Sequence, residues 1–121
     1  MGGRYWAFFG TLAGAVVLLI TTAAAQDQGG ATREFAVTGN GYAFSPSSIA
    51  VNRNDLVKIT FTAQDIPHSF TIDRYRIAKR AGAGQSVTFE FRADQSGPFP
   101  FYCNLTQDEK CKDMKGTLTV R

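Results

Sequence analysis

Three sulfur atoms and one imidazole carry the chemistry this chain can do. Cys103, Cys111 and Met114 fall within twelve residues, Cys103 to Met114, and the only histidine, His68, lies upstream in Ile66-Pro67-His68-Ser69-Phe70. Thiolate, thioether and imidazole are the donors that soft copper prefers. A thiolate and an imidazole supply strong bonds, and a thioether supplies a weak axial one. The usual arrangement of this kind has a second histidine, which the chain lacks. Cys111, eight residues after Cys103 and three before Met114, is the candidate substitute. A His68, Cys103, Cys111, Met114 set is softer than the usual one and favours Cu(I), in a single mononuclear site. Such a set is consistent with a carrier of copper rather than a fast electron shuttle.

The same two cysteines have an ordinary alternative. A Cys103–Cys111 disulfide would close a short loop and contribute about 2–3 kcal/mol in the loop-entropy account. His68 is then a hydrogen-bonded, partly buried histidine, and Met114 a gap-filling core residue. The residues leave both readings open, and reduction could interconvert them. Working dithiols usually sit as Cys-x-x-Cys, and no such pair is present, which weakens an oxidoreductase reading.

Compartment bears on that choice. Residues 1–25 hold one charge, Arg4, then an apolar run from Trp6 to Ile20 and small residues through Ala23-Ala24-Ala25. A basic start, an apolar centre and an Ala-x-Ala exit read as a secretory signal cut after Ala25. The rival is an uncleaved anchor over residues 6–25, close to the ~20 residues that span a bilayer. Either way the remainder is exported, to the periplasm or outside the cell, and touches a membrane only if the segment stays. Thiols in such a compartment oxidise unless metal or a disulfide occupies them.

Without residues 1–25 about 95 residues remain, enough for one small domain. The formal charge falls from +3 to +2, because Arg4 is the only charged residue removed. That balance is too weak to argue for nucleic acid. Residues 26–32, rich in Gly and Gln, read as a linker, and 33–121 as the domain.

The elements that must position the four donors read as short strands. Arg33–Thr38, Ser48–Val51, Leu56–Thr62, His68–Ile72, Ser86–Phe91, Phe99–Cys103 and Gly116–Val120 have strand composition, and several alternate. Leu56-Val57-Lys58-Ile59-Thr60-Phe61-Thr62 puts Val57, Ile59 and Phe61 on one face. Gly39-Asn40-Gly41 and Asn52-Arg53-Asn54-Asp55 are turn signals. Pro46 has no amide hydrogen for a ladder and belongs at an edge or crossing. Arg74 to Gln85 breaks the rhythm and reads as a loop with a helical turn. About seven short strands predict an all-β antiparallel sandwich. One pole of it would gather His68 at a strand start, Cys103 at a strand end and Met114 before the last strand.

Ile49-Ala50-Val51 with Asp55-Leu56-Val57, then Asp65-Ile66-Pro67-His68-Ser69-Phe70, Gly97-Pro98-Phe99, Phe101-Tyr102-Cys103 and Met114-Lys115-Gly116-Thr117-Leu118-Thr119-Val120, resembles the cupredoxin family. The resemblance covers roughly residues 33–121. It implies a Greek-key β-sandwich with a type 1 copper centre used for electron transfer, and assigns His68, Cys103 and Met114 to it by position. The late loop is also similar to the copper-A domain of cytochrome oxidase subunit II, which has Cys, Cys, His and Met in order. Here Cys103 and Met114 keep their places, while Gln107 stands at the second Cys and Cys111 at the His. A binuclear centre needs two bridging thiolates and two imidazoles and is not expected.

No hydrolase constellation competes. Ser69 is adjacent to His68, so the two point to opposite faces of a strand, and there is no Gly-x-Ser-x-Gly elbow. No enzymatic activity is expected. Arg74, Arg76, Lys79 and Arg80 form a basic cluster after the His68 strand that could steer an acidic redox partner. A solvated loop is the plainer account of such a cluster.

Overall fold

In the computed structural model residues 30–121 are described, and the expected signal or anchor lies outside them. Among the described residues no helix is long and apolar enough to cross a membrane. The strands are β1 Thr32–Asn40, β2 Ala43–Ser45, β3 Ser48–Val51, β4 Leu56–Ala63, β5 His68–Ile72, β6 Ile77–Ala81, β7 Ser86–Arg92, β8 Gly97–Tyr102 and β9 Lys115–Val120. They form two sheets, in the orders β2-β1-β4-β7 and β3-β9-β8-β5-β6. The chain passes repeatedly between the sheets, as a Greek-key sandwich requires.

Alternation explains the packing. In β4 the inward Val57, Ile59, Phe61 and Ala63 are each buried, and Leu56, Lys58, Thr60 and Thr62 are half-buried on the outer face. Pro46 sits where the chain leaves β2, an edge of one sheet, to start β3, an edge of the other. No ladder needs its missing amide there.

Two expectations are corrected. The sandwich is not wholly antiparallel: β1 pairs with β4 and β3 with β9 in parallel. Residues 74–85 hold the expected helical turn but are not otherwise all loop, because residues 77–81 form a strand. A 3-10 turn over Asp73–Tyr75 leads into β6, which pairs antiparallel with β5. The sequence Ile77-Ala78-Lys79-Arg80-Ala81 buries only its two ends, so it lacks the period-2 signal. Main-chain bonds to β5 suffice for an edge strand, and exposed Lys79 and Arg80 guard it against further pairing.

At the pole away from His68, buried Asp55 ties down the start of β1. Its carboxylate accepts from Ala31 N (3.0 Å), Asn52 N (2.8 Å) and Arg33 Nε (3.4 Å). The Asn52 amide, then the Ala31 amide and the Arg33 charge, hold its carboxyl below the usual range against the opposing effect of burial. A depressed native pKa contributes stability above the unfolded value of ~4, lost as pH falls through the native value. Asp55→Asn is therefore expected to unfold at lower temperature at pH 7. The gap from wild type should narrow below about pH 4, as thermal melts at pH 7 and pH 3 would show.

Candidate metal centre

All four donor residues are in the interior: His68 and Met114 are 0% exposed, Cys103 and Cys111 1%. β5 starts at His68 and places it inward with Phe70 and Ile72. The register pairs Thr71 of β5 with Tyr102 of β8. That pairing carries the chain after Tyr102 alongside Ser69. Cys103 Sγ accepts from Ser69 N at 3.4 Å. Beyond it, Ser69 Oγ donates to Asn104 Oδ1 at 2.7 Å and accepts from Asn104 N at 2.8 Å. Cys103 N donates to Met114 O at 3.3 Å, which binds the two ends of the late loop.

Cys111 stands on a second 3-10 turn, Cys111–Asp113. Its sulfur accepts from Leu105 N at 3.1 Å and is bonded to the sulfur of Cys103 in a disulfide. The disulfide reading of these cysteines is thus the state described. With the sulfurs joined, no group of three or more His, Cys, Asp or Glu among the described residues is gathered as for a metal ion. The free donors in this state are the imidazole of His68 and the thioether of Met114.

The imidazole is held in a defined way. His68 Nε2 lies 2.7 Å from Asp65 Oδ1, and Asp65 Oδ2 accepts from Gly41 N at 2.9 Å. The Gly41 amide, followed by the His68 side chain and the Ile66 amide, holds the Asp65 carboxyl far below the usual carboxylate range. Asp65 is therefore an anion and an acceptor only. Nε2 donates to it, and in the neutral tautomer of this ring the lone pair lies on Nδ1. Nδ1 is buried with no hydrogen-bond partner. A carboxylate behind one ring nitrogen with the other left bare is the arrangement that orients a metal-binding histidine.

Gly39 supplies space. A Cβ there would lie 3.1 Å from His68 Cδ2, 3.1 Å from Phe61 Cζ and 3.3 Å from Met114 Cε. The imidazole and the thioether methyl thus face one point on β1. The Tyr42 ring stands edge-on to His68, with centroids 5.9 Å apart. Its hydroxyl donates to Asp108 Oδ2 at 2.8 Å. That bond raises the phenol's pKa, so the hydroxyl stays protonated as a donor.

Sequence reading did not assign Asp65, Gly39, Tyr42 or Asp108 to the site. Asp65 carried a local signal, a carboxylate three residues before the histidine. The other three reach it through sheet pairing or across the fold.

The basic residues do not form one patch at this pole. Arg74 lies over the Phe99 ring at 5.3 Å, and Arg76 ends the turn before β6. β6 then runs back so that Ile77 faces Ile72 and Ala81 faces His68. Arg80, opposite Ser69, is the member nearest the site. With Ile66, Pro67, Leu105, Gln107 and Asp108 it lines a surface cavity of about 320 Å³.

Comparison places this geometry among known proteins. No curated protein matches the sequence. Among solved structures, the fold matches a chain of a heme-copper terminal oxidase (TM-score 0.65, 16% identity, 74% of this chain). It spans only 65% of that chain's length. It matches the metal-binding domain of the Streptococcus pneumoniae Cu(I)-exporting P-type ATPase CopA, solved with Cu(I) (TM-score 0.62, 18% identity, 74% of this chain and 86% of that one). It also matches dithionite-reduced auracyanin from Roseiflexus castenholzii (TM-score 0.62, 22% identity, 76% and 99%). At these identities the likeness is one of fold. The profile of the cupredoxin-like domain family matches residues 11–120, nearly the whole sequence, and with the two-sheet sandwich it shows that this chain belongs to the cupredoxin family.

Proposed function

We propose that this is an exported, non-enzymatic cupredoxin that binds one copper ion through His68, Cys103, Cys111 and Met114 once the Cys103–Cys111 disulfide is reduced. The observation that carries the reading is the bare, buried Nδ1 of His68, on a ring fixed by Asp65; the ring and the Met114 methyl meet at Gly39, and the amide of the next residue, Ser69, meets the Cys103 sulfur. An imidazole nitrogen buried without a partner is costly, and a metal bond at that atom would remove the cost. The CopA metal-binding domain, which shares this fold and was solved with Cu(I), adds to the support.

Copper in such a site supplies a one-electron couple and a cargo that can be passed on. The chain does the rest. An external dithiol delivers two electrons and two protons and becomes a disulfide, while Cys103 and Cys111 become thiols. Amide hydrogens from Ser69 and Leu105 then point at the two sulfurs and favour their thiolate forms. Met114 adds a neutral thioether, and the aromatic residues around the pole exclude water. Two sulfurs and one imidazole make a softer set than two imidazoles and one sulfur, so Cu(I) is the favoured state and copper carriage the favoured role. If electrons are exchanged with a partner, its acidic surface would meet Arg80, the member of the basic cluster nearest the site.

The disulfide itself favours a second reading, a metal-free module that the bond locks. One experiment separates them. Purified protein is assayed for thiols and for Cu(I) before and after anaerobic reduction. The expected result is no thiol and no retained copper before, and two thiols with one Cu(I) per chain after. Two free thiols with no retained copper would leave only the locked module.

A further inference from the structure

The hairpin that joins β1 to β2 is built against its own sequence preference. Asn40 pairs with Ala43, so the loop has two residues, Gly41 and Tyr42, at φ 61° and 60°. Such turns ask for glycine or asparagine at positive φ. A tyrosine there is disfavoured and persists only where its side chain is needed.

The side chain reaches across the site. From the left-handed position the ring stands edge-on to His68 and the hydroxyl donates to Asp108 in the late loop, 66 residues away. Lys110 Nζ sits over the outer face of the ring at 5.7 Å. Asp108 is the residue on which the cysteine turn is hung. Its Oδ1 accepts from Lys110 N at 3.0 Å, and its carbonyl oxygen accepts from Cys111 N at 3.1 Å. The neighbouring Gly41 amide holds Asp65, which in turn orients His68. One hairpin therefore touches the histidine, the carboxylate behind it and the turn that carries Cys111.

Cys103 and Cys111 are each 1% exposed, so lifting the 103–114 loop opens them to an external thiol. From these contacts we infer that Tyr42 is a latch. Its phenol holds the late loop shut over His68 through Asp108, and its release sets how fast the disulfide can be reduced and the donor set opened. This rests on the copper-site reading for its purpose, but the latch itself is measurable without metal.

The test uses the whole exported chain, oxidised and metal-free, with dithiothreitol as the reductant. Tyr42→Phe keeps the ring and the backbone position and removes only the hydroxyl. It is expected to speed reduction about tenfold, the factor that a hydrogen bond to a charged acceptor is worth. Asp108→Ala, which also frees the Lys110 amide, should speed it at least as much, and the double variant should be no faster than Asp108→Ala alone. Asp108→Asn, which keeps an acceptor oxygen, should restore most of the slow rate. In Tyr42→Phe the His68 ring signals in NMR should shift, because the edge contact loosens. Rates within twofold of wild type, or multiplicative effects of the two substitutions, would overturn the latch. Failure to bind copper with the rate changes present would count against the metal reading and leave the latch standing.

Discussion

His68→Gln is expected to abolish tight Cu(I) binding by the reduced protein, lowering affinity more than ~100-fold in competition with a chromogenic chelator. Loss of a residue that merely orients a metal ligand costs 10–100-fold, and His68 is the chain's single imidazole. Glutamine fills similar space and can still meet Asp65 with its amide, so the pole keeps its shape. The oxidised variant should still titrate no thiols, because the Cys103–Cys111 bond makes no use of the imidazole. Undiminished affinity in H68Q would remove the histidine from the site and leave a sulfur-only binder. The contrast with wild type is sharp because no other aromatic nitrogen ligand can replace it.

The second large effect is on stability. Phe70, fully buried, is two residues from His68 on the same face of β5. Its ring stacks on Phe101 at 4.7 Å and meets Phe44, Phe61 and Phe89 at 5.6–5.8 Å. Truncation at such a centre leaves a cavity that the four packed rings cannot refill. Phe70→Ala is expected to cost about 3–5 kcal/mol. For a domain of this size that is a fall of about 15–30 °C in Tm. Phe89, 7% exposed at the margin of the cluster, should cost less when truncated. Equal losses at the two positions in denaturant melts would argue against a core centred on Phe70. The result bears on the site, because β5 is fixed by this cluster before it can present His68.

The strand pattern was legible where alternation is strict. β4, Leu56–Ala63, was read as Leu56–Thr62 because one face of it is buried and the other is not. β5 was legible by composition, although all five of its residues are buried. β6 was not, since an edge strand with an exposed middle has no face to bury and leaves no periodic trace. The parallel pairings of β1 with β4 and β3 with β9 were also beyond local reading, because strand direction is set by the crossings and not by any one segment.

For the site, residue types and spacing named the chemistry: one imidazole, two cysteines eight apart and a methionine three further on define a soft donor set or a short disulfide. They could not choose between the two, because both use the same two sulfur atoms. The tertiary structure joined those sulfurs and set the amides of Ser69 and Leu105 on them. It also left Nδ1 of His68 bare while Asp65 occupied Nε2. Gly39, Tyr42 and Asp108 enter only through the fold. A side chain's neighbours across a sandwich are set by sheet register and hairpin geometry, and those are properties of the whole chain rather than of the residues on either side.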